Sequence, residues 1–164
     1  MSSNIINLLW ESFLETILMV GVSGGLGAAI GIPLGVFLFV TSPKGIMPKP
    51  YVNRIIGTIV NAVRSTPFII LLVAIIPFTR LIVGSSIGTV AAIVPLTIAA
   101  APLIARLVET SLREVDKGLI EAAQSMGATN TQIICKVLLP EAMPGILAGL
   151  TIAFVALVGS SAMA

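Results

Sequence analysis

Uncharged apolar segments about as long as a bilayer is thick recur along this chain. They cover Thr16 to Thr41, Ile87 to Ala105 and Ile146 to Ala164. An α-helix needs about 20 apolar residues to cross the hydrocarbon core, so each segment predicts one membrane-spanning helix. The first segment is followed by "SPKGIMPKPY", whose prolines and glycine predict a loop.

A fourth span is predicted between Asn53 and Arg80, where the apolar pattern is interrupted by Arg64. In one interpretation the span begins near Ile59, and Arg64 lies roughly 7 Å inside the membrane and extends to the headgroups. In the other, Val52 to Val63 is an interfacial amphipathic helix and the span begins at Thr66. The pattern fits both.

Composition places the whole chain in the membrane class. It has 164 residues, 57% of them hydrophobic and 10% charged, whereas soluble domains have about 25% charged residues. We therefore expect an all-α, polytopic helical membrane protein with four visible spans. The start, "MSSNIINLLWESFLET", has no basic n-region and contains Glu11 and Glu15, so it does not resemble a cleaved signal peptide.

Charge and residue content exclude several kinds of chemistry. The net charge is +2 and there is no basic run, which excludes a nucleic-acid partner. A single cysteine, Cys135, excludes an internal disulfide and a multi-cysteine metal site, and there is no histidine. We expect no metal, no cofactor and no catalytic residues.

The basic residues predict the orientation. Seven of the nine lie in two segments that two spans separate: Lys44, Lys49, Arg54, Arg106, Arg113, Lys117 and Lys136. The positive-inside rule places 42–54 and 106–141 in the cytoplasm and the N-terminus outside.

The first span contains glycines at four-residue intervals, namely Gly27, Gly31 and Gly35. Such spacing permits close approach of a second helix. We favour packing within the chain over a dimer contact. Leu38, near the end of this span, is expected to face lipid.

The polar segment 106–141 predicts three helical pieces. An amphipathic helix continues the third span into the cytoplasm and is broken at Gly118. Asp116 is a candidate N-cap for a short helix from Leu119 to Met126, which ends at Gly127.

After this short helix, "TNTQ" at 129–132 has the spacing of a capping box. It predicts a second helix that runs to Leu139. Pro140 and Pro144 separate that helix from the fourth span.

The short helix carries the features of a docking surface. Ala122 and Ala123 are small enough to let another surface approach the backbone, and Leu119, Ile120 and Met126 offer apolar contacts. Packing of the same residues under their own bundle explains the pattern equally well.

The segment "EAAQSMGATNTQIICKVLLP" resembles the cytoplasmic loop of the membrane subunits of type I ABC importers. Its pattern is Glu-Ala-Ala, three residues, Gly, nine residues, an aliphatic residue, any residue, Leu-Pro. The resemblance implies that the short helix seats in a groove of a separate ATPase subunit. The implied coupling residues are Leu119, Ile120, Glu121, Ala122, Ala123, Met126, Gly127, Leu139 and Pro140.

Over roughly residues 8–164 the chain also resembles the methionine-uptake permeases of that family, as in "NAVRSTPFIILLVAIIPFTR". The resemblance implies one type I ABC importer transmembrane domain over 1–164, with 106–141 as its coupling region. Family members have five spans, so we expect one further span and a basic tail beyond Ala164.

The implied function is that of a permease subunit in an ATP-driven methionine importer of the bacterial inner membrane. The chain has no P-loop, so it is not itself the ATPase and is not an enzyme. Implied partners are two copies of an ABC ATPase subunit, a second copy of this chain, an extracytoplasmic methionine-binding protein and membrane lipid. The substrate-binding residues are not assigned.

Two other functions remain open. One is an ion channel or secondary carrier subunit without an ATPase, although the predicted spans contain no acidic residue to couple to protons or sodium. The other is a structural subunit of a larger membrane complex.

Overall fold

The computed structural model describes residues 3–164; Met1 and Ser2, which the domain prediction includes, lie outside the described residues. This part of the chain is helical, which confirms the predicted all-α fold. The elements are α1 (Ser3–Val40), α2 (Pro50–Ser65), α3 (Phe68–Ala74), α4 (Ile76–Val83), α5 (Thr89–Arg113), α6 (Lys117–Ser125), α7 (Asn130–Ile133), a π-helical turn (Ile134–Leu138) and α8 (Leu139–Ser161).

Within residues 3–164, three helices are long and apolar enough to cross a membrane: α1, α5 and a continuous helix over Asn130–Ser161. A further pair, α2 with α3, meets the same test but is bent by 106°. Counting the bent pair as one span gives the four spans that the sequence predicts.

The bend between α2 and α3 lies at Thr66 and Pro67. Proline has no N–H to continue a helix and forces the preceding residue to be extended, and Thr66 has φ −82° and ψ 124°. The break agrees with the interpretation in which the span begins at Thr66. One face of α2 is buried at Gly57 and Val60, and the helix packs on α5.

The tightest helix contact joins α1 to α5. A Cβ atom on Gly31 would lie 2.7 Å from the carbonyl oxygen of Ala101, and one on Gly35 would lie 2.5 Å from that of Ala105. A Cβ atom on Gly27 would lie 2.6 Å from the Cβ atom of Ala100, which is also on α5. The preference for intramolecular packing of these glycines is therefore confirmed.

The third core helix, α8, also packs closely on α5 at glycine positions. A Cβ atom on Gly149 would lie 3.0 Å from the Cβ atom of Leu107, and one on Gly145 would lie 2.9 Å from Ser111 Oγ. Buried apolar side chains fill the space among the three helices, including Leu96, Ile104, Ala153 and Leu157.

The expectation that Leu38 faces lipid is wrong. Its side chain is 1% exposed, and its carbonyl oxygen accepts a hydrogen bond from Asn53 Nδ2 at 2.6 Å. The loop that follows is folded back by hydrogen bonds from Met47 N–H to the Val40 carbonyl and from Lys49 N–H to the Thr41 carbonyl, both 3.0 Å. The loop therefore packs on the end of α1.

The predicted separation between a cytoplasmic helix and the fourth span is also wrong. The chain is helical without a break from Asn130 to Ser161. Pro140 would normally interrupt the helix, because its ring clashes with the carbonyl group four residues earlier. The π-helical turn before it widens the helix, with the Leu139 N–H bonded to the Ile134 carbonyl five residues back, and so accommodates the ring.

The α1–α5 contact yields a matched test. Gly35→Ala should lower the free energy of unfolding by about 1–3 kcal/mol, because the new methyl group meets the α5 backbone. Gly21→Ala on the same helix is the control, since nothing lies within 4 Å of its Cβ position. It should be neutral or stabilising by up to about 1 kcal/mol. Thermal unfolding of the detergent-purified variants measures both, and equal effects would contradict this packing.

Candidate functional site

The N-terminal end of α6 is held by Asp116. Its Oδ1 atom accepts a hydrogen bond from the Gly118 N–H at 2.8 Å, which confirms the predicted cap. The prediction that Gly118 breaks the preceding helix is wrong. Gly118 lies in the first turn of α6, which begins at Lys117. The break comes earlier because α5 ends at Arg113.

The C-terminal end of α6 is closed by Gly127, as predicted. Its φ of +79° lies in the left-handed region, which costs a residue with a side chain about 1 kcal/mol or more. The Gly127 N–H donates to the Gln124 carbonyl at 2.9 Å, and the Ala128 N–H donates to the Ala123 carbonyl at 3.1 Å. These two bonds form a Schellman motif.

The next helix begins directly after this motif. Gln132 Oε1 accepts from the Thr129 N–H at 2.9 Å, and Thr129 Oγ1 accepts from the Gln132 N–H at 3.4 Å. The predicted capping box is therefore confirmed. Together with the Schellman motif it sets the turn between α6 and α7.

The predicted coupling residues divide between two faces. The exposed ones are Leu119, Glu121, Ala122, Met126, Gly127 and Pro140, and the buried or half-buried ones are Ile120, Ala123 and Leu139. Ala123 is only 4% exposed and belongs to the same core cluster as Ile133 and Leu138. It therefore packs on its own chain, and the expectation that it lies at the closest approach to a partner is wrong.

The interpretation that α6 packs under its own bundle is confirmed for one face, and the docking surface stays a prediction for the other. Ala123 and Ile120 attach the helix to the bundle, and α6 packs against the π-helical turn. The other face leaves Leu119 43% and Met126 82% exposed. Both are apolar, so this face has the character of a docking surface.

The first loop lies beside α6, which the sequence did not reveal. The two line a shared cavity of about 190 Å³. Its walls are Phe39, Lys44, Gly45, Ile46, Lys117, Ile120, Glu121 and Gln124. Both basic segments therefore meet at one end of the bundle, as the charge distribution predicts.

An ion-pair cluster on α5 lies just before α6. Glu109 is a charged residue of the amphipathic helix that continues the third span, yet it is only 4% exposed. Its carboxylate accepts from Arg106 Nη1 at 2.5 Å and from Arg113 Nη2 at 2.6 Å. Arg106 Nη2 also donates to the Gly57 carbonyl oxygen at 2.9 Å, so the cluster ties α2 to α5.

The signal for this cluster was the spacing of the three charges, since residues three and four apart on a helix are neighbours. Spacing alone does not reveal burial. Gly57 permits the contact, because a Cβ atom there would lie 3.2 Å from Arg106 Nη2.

Removing the Glu109 charge tests the importance of this cluster. Glu109→Gln should lower the free energy of unfolding by about 1–3 kcal/mol, because two arginines lose their counter-ion. The partial exposure of Arg106 and Arg113, 24% and 56% of their side chains, keeps the loss below that of a fully buried pair. The control is Glu114→Gln, at an exposed carboxylate, which should change the stability by less than about 0.5 kcal/mol. Thermal unfolding in detergent compares them, and equal stability of the two variants would argue against the cluster.

The chain is similar to known membrane transport proteins. Residues 31–164 match the family model described as "Binding-protein-dependent transport system inner membrane component". The chain is 57% identical over 158 residues to a probable D-methionine transport system permease protein MetI of Vibrio cholerae, covering 96% of this chain and 70% of that protein. It is 55% identical over 163 residues to the D-methionine transport system permease protein MetI of Escherichia coli, covering 99% and 75%.

Solved structures agree with these relatives. A chain in inward-facing conformations of the MetNI methionine ABC transporter matches with a TM-score of 0.97 and 55% identity, covering 99% of this chain and 76% of that one. An amino acid ABC transporter at 22% identity matches with a TM-score of 0.66, which shows a shared fold.

Proposed function

This chain belongs to the family of binding-protein-dependent transport system inner membrane components, and we propose that it is the permease subunit of an ATP-driven methionine importer. The single observation that carries this proposal is its identity of 55–57%, over nearly its whole length, to permeases named for D-methionine transport. Its role is to form the translocation path, while ATP hydrolysis takes place on a separate subunit.

We propose an assembly of two copies of this chain with two copies of an ABC ATPase subunit, supplied by an extracytoplasmic methionine-binding protein. One chain leaves much of α2, α3 and α4 exposed, for example Ile59, Ile69 and Leu81. Each of these helices packs against α5. A second copy can complete a path there, and lipid covers the remaining apolar surface.

Coupling to the ATPase is assigned to the exposed face of α6. Leu119, Ala122 and Met126 provide a shallow apolar contact, and Glu121 adds a carboxylate at its edge. Ala123 and Ile120 hold the opposite face to the bundle, so force on α6 passes into the chain rather than only tilting the helix. Gly127 and the π-helical turn before Pro140 shape the return of the chain to α8.

The orientation proposed for the chain has the N-terminus outside and segments 42–54 and 106–141 in the cytoplasm. The native cysteine offers a direct test, because Cys135 is exposed in the second segment. A membrane-impermeant maleimide should label Cys135 in inside-out vesicles and leave it unlabelled in spheroplasts. In a Cys135→Ser background, Asn7→Cys should show the reverse. Labelling of Cys135 in spheroplasts would contradict the orientation.

Transport is tested in vesicles that contain the permease and ATPase subunits, with the binding protein on the outer side. Labelled methionine should accumulate only when ATP is present inside. Uptake that needs no ATPase would favour the alternative, a channel or secondary carrier.

The α6 assignment is tested in the same vesicles. Met126→Asp should reduce ATPase co-purification by about tenfold or more and reduce uptake with it, because a carboxylate would be desolvated at an apolar contact. Ile87→Asp is the matched control, since Ile87 is 87% exposed against 82% for Met126 and each precedes a glycine of positive φ. It should retain the ATPase. Full retention by Met126→Asp would refute the coupling surface.

A further inference from the structure

A small cavity lies between α4 and α5, beside the turn that joins them. Its volume is about 30 Å³, and a water molecule needs about 10–15 Å³ of such space, so the cavity holds roughly one or two waters. Thr79 of α4 and Ser86 of the turn contribute its polar side chains. Ala91 and Pro95 of α5 also line it, and so does Ala164 after the end of α8. The cavity therefore has the scale of a solvent molecule rather than that of a metabolite.

Thr79 holds a buried hydroxyl group at this cavity, since the residue is only 4% exposed. Other threonines of the spans, such as Thr97 and Thr151, donate their hydroxyl to the carbonyl group four residues earlier. Within residues 3–164 the Thr79 hydroxyl makes no hydrogen bond of this or any other kind. Protein atoms do not seal its oxygen, because the sealed and unpartnered side-chain atom in this part of the chain is Arg106 Nε. The hydroxyl is therefore reached from the cavity and needs a partner there.

Pro95 leaves a second polar group at the cavity without its usual partner. In an α-helix the carbonyl of residue 91 accepts a hydrogen bond from the N–H of residue 95, and proline inside α5 has no N–H to donate. Ala91 is only 3% exposed, so bulk water does not replace that donor. Buried carbonyl groups are almost always paired. The Ala91 carbonyl therefore needs a donor from outside its own helix.

Ser86 provides a third group. Its Oγ atom accepts a hydrogen bond from Arg80 Nε at 3.2 Å, which leaves the hydroxyl hydrogen free to donate. Among the described residues, no carboxylate side chain lines the cavity, so a metal ion would lack its usual ligands. The three groups offer one carbonyl acceptor and two hydroxyls, which suit a neutral ligand that both donates and accepts.

We propose that this cavity binds an ordered water molecule that links α4 to α5. The water donates to the Ala91 carbonyl, accepts from the Ser86 hydroxyl and bonds the Thr79 hydroxyl. Buried waters in proteins make about three hydrogen bonds, which matches these three groups. The other walls are formed partly by the apolar side chains of Leu72 and Ile76, which limit exchange with the surroundings.

The water has a clear structural role because α4 has little other attachment. Thr79 is the buried residue of this helix, and its neighbours Phe78 and Leu81 are 49% and 84% exposed. The contact of α4 with α5 is thus centred on a hydroxyl group rather than on apolar packing. A bound water satisfies that hydroxyl and fixes the position of α4 on α5.

The sign of a stability change in Thr79→Val tests the site, since valine keeps the shape of threonine and lacks the hydroxyl. With a water bound, the variant leaves the water one hydrogen bond short. The thermal midpoint of the purified permease–ATPase complex should then fall by about 2–5 °C. In a dry cavity the same variant removes an unpaired buried hydroxyl, and the midpoint should stay or rise. Thr97→Val is the matched control, because the Thr97 hydroxyl is bonded to the Ile93 carbonyl at 2.8 Å. It should shift the midpoint by less than about 1 °C.

A density map of the wild-type complex at about 2 Å resolution gives a second measurement that needs no variant. A water peak is expected within about 3.2 Å of Thr79 Oγ1, Ser86 Oγ and the Ala91 carbonyl oxygen. Thr79→Ser should keep this peak and Thr79→Val should lose it.

Three results would each overturn the proposal. They are an unchanged or raised midpoint in Thr79→Val, a wild-type map with ordered waters elsewhere but none in the cavity, and a peak whose short contacts identify a metal ion. The map decides the question even if Thr79→Val fails to insert.

Discussion

The architecture depends on the backbone contact between α1 and α5. Between helices in lipid there is no hydrophobic driving force, so association rests on close van der Waals packing and hydrogen bonds. Gly27, Gly31 and Gly35 allow α1 to reach the α5 backbone, and Gly149 allows α8 to pack closely on the Leu107 side chain of α5. Helix α5 is packed between these two helices, and α2, α3 and α4 also contact it.

Helix α5 connects the core of the bundle to the end that carries α6. At its end, Glu109 and Arg106 bind it to α2, and the chain then passes directly into α6. In the coupling proposed above, an ATPase that acts on α6 would act through it on α5, and the ion-pair cluster would connect that movement to α2.

In α6, the capping residues were predictable from the sequence, but the buried face was not. Asp116, Gly127 and the Thr129–Gln132 capping box behave as their positions in the sequence predict, because each makes hydrogen bonds to residues at most a few positions away. The side of the helix that binds the bundle was not predictable in the same way. Ala123 is buried because Ile133 and Leu138 come from elsewhere in the chain to cover it.

The sequence by itself determined the helical membrane class, the apolar spans, the capping residues and the glycines available for close packing. Only the tertiary structure decided that Leu38 and Glu109 are buried and that the helix continues through Pro140. The physical reason is that lipid and protein interior are both apolar, so hydrophobic periodicity in a span does not distinguish the two. Burial there depends on which neighbouring helix arrives, and that contact is set by residues distant in the sequence.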